Sequence, residues 1–116
     1  MIELPDFDTG QYQGFEFLMS DADAILTVNV HGLAPFKIQF RRVRWHEFTA
    51  IYNCTASQIE NSYFRLHEVN PSTRLRAFLA ADSASAKAYK ELHHYRIVLD
   101  ESGCHELFAE SARTVA

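Results

Sequence analysis

Residues 24–31 (A-I-L-T-V-N-V-H) and 36–42 (F-K-I-Q-F-R-R) alternate in polarity on either side of a short connection from Gly32 to Pro35. A period of two is the spacing of an extended strand, in which residues i and i+2 share a face. The alternation predicts that Leu26, Val28 and Val30 point one way and Ile25, Thr27, Asn29 and His31 the other. In the second run Phe36, Ile38 and Phe40 face in, and Lys37, Gln39 and Arg41 face out. Two such runs around a Gly/Pro loop predict an antiparallel hairpin. One of its faces must be buried by a second layer. The period slips after Arg41. A β-bulge at Arg41-Arg42 would restore the apolar face; a strand end with a fresh strand from Val43 explains the pattern equally well.

The rest of the chain follows the same rule. Phe15, Phe17 and Met19 share one face of a strand at 14–19, ended by a turn at Ser20 to Asp23. Residues 43–54 read as more sheet, although Phe48 and Ile51 also suit a short helix. Thr55 to Asn61 reads as a polar loop. Residues 62–69 read as a strand stopped by Asn70-Pro71. Residues 1–10 read as a frayed entry segment. Helical spacing is confined to Ser72–Leu92. There Leu75, Phe78 and Leu79 lie at i, i+3, i+4, with Ser72 as a cap. Asp82 to Ser85 interrupts this stretch, and Ala84, Ala88 and Leu92 share the face of a second turn. One broken helix or two short ones is expected.

Residues 94–110 (H-Y-R-I-V-L-D-E-S-G-C-H-E-L-F-A-E) place two apolar runs around Asp100-Glu101-Ser102-Gly103. A three-residue loop, Glu101 to Gly103, with Gly103 left-handed, sets Asp100 opposite Cys104, Ile97 opposite Leu107 and Tyr95 opposite Ala109. One face is then Tyr95, Ile97, Leu99, His105, Leu107 and Ala109. The other is Arg96, Val98, Asp100, Cys104, Glu106 and Phe108. A slip of one residue would bury Glu106 in the core, at a cost of several kcal/mol. The segment resembles the C-terminal hairpin of small uncharacterised bacterial proteins with H-Y-x-I-x-x-D-x-x-G-x-x-E segments. The likeness spans His94 to Glu110 and, loosely, Glu68 to Ser72. It implies a β-rich bacterial domain and carries no activity.

The 116 residues are 47% apolar and 22% charged, which predicts one soluble domain over 1–116. No run approaches the ~18 apolar residues of a membrane span. The first residues lack a secretory signal, and two cysteines are too few for a disulfide scaffold, so a cytoplasmic location is expected. The net charge of −4 argues against nucleic acid as the partner. That charge is segregated. Lys37, Arg41, Arg42 and Arg44 form a basic strip without acids, between acidic stretches at 1–23 and 100–110. Four clustered positives could still touch a phosphate backbone. With Trp45 they could also grip a carboxylate or a partner's acidic patch. As a plain exposed strand face, they would discourage edge pairing.

No reaction motif accompanies these features. The six histidines form neither H-x-H nor H-E-x-x-H, and adjacent His93-His94 on a strand point apart, so no metal or other cofactor is expected. Cys54 and Cys104 lack thiol-enzyme motifs and read as inert. No G-x-S-x-G, P-loop or G-x-G-x-x-G occurs. Paired carboxylates could do acid–base work, with Glu106, opposite Val98, as one candidate, but fifteen acids in a soluble domain need no catalytic explanation. The expected fold is α+β: a mainly antiparallel sheet of about five to seven strands, sandwich- or barrel-like, with a broken helix and a closing hairpin. The expected function is a small bacterial protein-binding or regulatory module, of the kind an immunity-type inhibitor represents, with a homodimer reasonable through exposed edges. The alternative is a small-ligand-binding protein or enzyme with a pocket between helix and sheet. Candidate binding residues across the two readings are Lys37, Arg41, Arg42, Arg44, Trp45, Arg96 and His105, with Tyr95 in the pocket version.

Overall fold

The computed structural model describes residues 2–81 and 91–115. Its strands are β1 (Ile2–Glu3), β2 (Tyr12–Ser20), β3 (Asp23–Val30), β4 (Phe36–Arg41), β5 (Trp45–Ala50), β6 (Arg65–Glu68), β7 (His93–Leu99), β8 (Gly103–Ala109) and β9 (Ser111–Val115). Two short helices, α1 (Ala56–Ile59) and α2 (Thr73–Ala81), complete an α+β fold. The paired strands run antiparallel in two sheets, β2-β3-β4-β9 and β1-β6-β7-β8-β5, which are not closed into a barrel.

The alternating runs form as their period dictates. Ala24 pairs with Phe40 and Val28 with Phe36 in the β3–β4 hairpin. Leu26, Val28, Ile38 and Phe40 are fully buried from one sheet; Ile97, Leu99 and Leu107 meet them from the other. Ser20 opposite Asp23 closes β2 onto β3 around Asp21-Ala22. Asp21 takes a positive φ of 57°, which an aspartate tolerates in a tight hairpin turn.

The slip after Arg41 is a sheet corner. Arg41 pairs with Ser111 on β4–β9, and Trp45 pairs with Phe108 on β5–β8. Three residues on one strand thus oppose two on the other, which is the bulge's extra residue. Arg42 takes a positive φ of 52° there. The backbone stays bonded through the bend, from Glu110 N–H to Arg41 C=O at 2.9 Å and from Arg44 N–H to Phe108 C=O at 2.8 Å. The fresh strand starts at Trp45, not Val43. One bent two-stranded ribbon therefore belongs to both sheets.

Several expectations need correcting. The terminal hairpin keeps its predicted faces but is paired two residues differently: Ile97 lies opposite His105, Tyr95 opposite Leu107, and Glu106 opposite Arg96 instead of Val98. The loop is Asp100 to Ser102. Gly103 has a positive φ of 151°, and a Cβ there would lie 2.1 Å from the Thr49 carbonyl oxygen. Close approach of β5, in addition to the loop, fixes this glycine. Residues 55–61 contain α1, because Thr55 and Gln58 make a reciprocal capping box. Residues 2–3 and 111–115 pair as strands, which raises the count to nine among the described residues. Ser72 caps α2 through Leu75 N–H at 3.0 Å, as expected. The second helical turn, with Ala84 and Ala88, lies outside the described residues.

Candidate functional site

The two sheets have unlike outer faces. That of the five-stranded sheet carries Trp45, Glu47 and Thr49 on β5, His94, Arg96 and Val98 on β7, and Cys104, Glu106 and Phe108 on β8. Both helices sit over it. Phe78 of α2 meets Phe108 edge-on at 5.1 Å, and the Arg74 guanidinium lies 4.5 Å over the Trp45 ring.

Beneath the helices, Glu106 is only 2% exposed. It accepts hydrogen bonds from His94 Nε2 at 2.8 Å, Arg96 Nε at 3.1 Å and Gln58 Nε2 at 3.0 Å. Arg96 Nη2 adds an ion pair at 3.1 Å, and Arg74 Nη1 lies at 3.9 Å. Burial alone would push this carboxyl up. The bonds from His94 and Gln58 and the Arg96 charge outweigh it and bring the group down to about 2. Three elements converge on it: Gln58 from α1, Arg74 from the start of α2, and His94 and Arg96 from alternate positions on β7.

His94 relays this centre to α2. A carboxylate only accepts, so Nε2 donates to Glu106. In the neutral ring Nδ1 then accepts from the Ser72 hydroxyl at 2.7 Å, while the Ser72 oxygen accepts the Leu75 amide. The order serine, histidine, glutamate matches a nucleophile–base–carboxylate relay. Here, however, Arg96 already balances the carboxylate, the Ser72 oxygen serves the helix cap, and His94 is 2% exposed. The chain of bonds is suited to fixing a helix on a sheet. Two cavities lie elsewhere, one of about 220 Å³ between Leu4-Pro5 and Tyr63-Phe64 and one of about 100 Å³ beside Ile2, Leu66 and Tyr95.

A pair of histidines lies between the sheets. His46 Nε2 and His105 Nδ1 are 3.1 Å apart, stacked rings flanked by Phe15, Phe17 and Phe48. Buried His105 Nε2 has no partner. With Nδ1–H donating to His46, Nε2 exposes only a lone pair, the less costly orphan. Burial, reinforced by neighbouring His46, pushes His105 down to about 3; burial also lowers His46. Cys104 is buried and pushed up to about 12 by burial, then by Glu106, so it is an unreactive thiol.

The structure separates the candidate binding residues. Lys37 and Arg41 stand exposed on the outer face of the four-stranded sheet. Arg42 sits at the corner, 3.4 Å from Glu110. Half-buried Arg44 joins the ribbon by its backbone. Trp45 and Arg96 both lie on the helix-covered face of the five-stranded sheet, Trp45 across from Phe108 and Arg96 across from Glu106. His105 and Tyr95 face the opposite side of that sheet, so the four do not line one pocket. Gln58, Ser72 and Arg74 were missed as members of the buried centre; the shared parity of His94, Arg96 and Glu106 was the available signal. Among the described residues, no group of three or more His, Cys, Asp or Glu side chains is placed to hold a metal ion.

Protein-family models, curated proteins and solved structures show no match to the chain. The geometry itself must therefore carry the functional reading. Its clearest asymmetry is the four-stranded sheet, whose outer face no described element covers. There Lys37, Gln39 and Arg41 on β4 run beside Arg113 on β9, with the Arg113 Nε held 3.0 Å from Gln39 Oε1. No helix among the described residues is long and apolar enough to cross a membrane.

Proposed function

We propose that this is a small bacterial cytoplasmic module that binds another protein through the open face of its four-stranded sheet. The supporting observation is the row formed by Lys37, Arg41 and Arg113 on a strand surface that nothing described covers. Strand backbones hold these cations at fixed spacing, which suits an acidic protein surface. An immunity-type inhibitor fits the size, but its acidic surface would neutralise a basic toxin and would not use this basic row. The layer between helices and sheet, where a small ligand would bind in the alternative reading, is filled by Glu106 and its partners. The test is affinity capture from the source cell, with wild type beside a Lys37→Glu, Arg41→Glu, Arg113→Glu variant. A specific acidic protein retained by wild type and lost by the folded variant supports the reading. Identical recoveries overturn it.

A further inference from the structure

We infer that two copies of this chain associate through the free edge of β2, antiparallel and centred on Leu18. β2 is the longest strand, nine residues, and pairs only with β3 among the described residues. Its outer edge is protected only at its start, where a bulge between Tyr12 and Gly14 breaks the register with β3; from Gly14 to Ser20 the pairing is regular. The strand has no Lys, Arg or Pro, and its one charge is Glu16. Leu18 is 68% exposed and Met19 44%.

The pattern of amides selects the register. A two-residue turn closes β2 onto β3, so Ser20, Leu18 and Glu16 direct their backbone groups toward β3. Phe15, Phe17 and Met19 direct theirs to the free side. A two-fold axis between residues would oppose an outward amide to an inward one. An axis at Glu16 would set that carboxylate against itself, and one at Phe17 would set it against Leu18. With the axis at Leu18, Phe17 and Met19 of the two copies exchange hydrogen bonds, and Glu16 faces Ser20. The two Leu18 side chains meet at a closely spaced non-hydrogen-bonded pair. Leu18 also lies beside Ile25 on the same face, so the two copies form one apolar stripe across the seam. The strand is thus complementary to itself, which a symmetric dimer requires. Lys37 and Arg113 lie toward the far side of the sheet and stay free, so the acidic-partner reading stands or falls separately.

Sedimentation equilibrium over a concentration series should show a reversible dimer. Leu18→Lys should weaken it by about a hundredfold or more, since each dimer loses both apolar contacts and gains two facing cations, while circular dichroism stays that of wild type. In a Cys54→Ser background, Leu18→Cys should oxidise to a disulfide-linked dimer, because facing positions at such a pair meet the distance a disulfide needs. Glu16→Cys should not. A wild type that remains monomeric, a dimer insensitive to Leu18→Lys, or crosslinking through position 16 and not 18 overturns the inference.

Discussion

Glu106 shows how far one side chain's role depends on its complement of partners. Removing it leaves the Arg96 charge and the His94 ring facing a buried void, so Glu106→Ala should cost about 3–5 kcal/mol in urea unfolding. Glu106→Gln, which keeps an acceptor, should cost less. The histidine pair makes a separate prediction. His105 has a value of about 3 when folded against 6.5 when unfolded. As pH falls below 6.5 the unfolded chain takes up the proton first, so stability declines from there toward pH 3. Glu106, at about 2 when folded and 4.5 when unfolded, adds a loss that starts below 4.5. Urea midpoints measured across this range should fall in two stages. His105→Leu should shrink the upper stage to the part that the lowered His46 and His67 still contribute, and leave the lower one; an unchanged profile would refute this account. The sequence places His105 on the core face by parity alone, but it carries no sign that His46 from β5 would be its partner.

Among the elements, strands were more legible than what covers them. Alternation sets the faces of β3, β4, β7 and β8 because a one-residue slip would expose an entire apolar set. It does not set the pairing offset, since a shift of two residues preserves both faces; hence the hairpin at 93–109 has the right sides and a different register. Nor does alternation say whether the outward face meets water. Arg96 and Glu106 look like solvent residues until α1 and α2 are laid on them, and α1 is short enough that a capping box is its main local signal. Two substitutions test these supports. Ser72→Ala removes both the α2 cap and the bond to His94, and should cost about 1–2 kcal/mol by chemical denaturation. Gly103→Ala should cost more than Gly32→Ala. A Cβ at Gly32 meets nothing within 4 Å and suffers only from its φ of 82°, whereas at Gly103 it collides with Thr49. Equal losses in thermal melts would contradict the close approach of β5.

For the whole molecule, the ribbon β4–β5 with β8–β9 makes the two sheets one cooperative object. Trp45 reports the corner, while circular dichroism reports all strands. The two unfolding curves should coincide, and an early tryptophan transition would show the sheets melting separately. The Arg42–Glu110 pair at the bend is too exposed to matter much; Glu110→Ala should change stability by less than about 1 kcal/mol. The ribbon also sets a timetable for synthesis. Gln39 and its neighbour Arg113 are 74 positions apart, so on the ribosome β4 emerges long before the strand that covers its second edge. Until then the nascent chain displays an unfinished three-strand sheet, open on both flanks, whose apolar side awaits β7 and β8. Completion therefore waits for β9, and the interval before it is when the open edge of β4 is most exposed to mispairing with another strand.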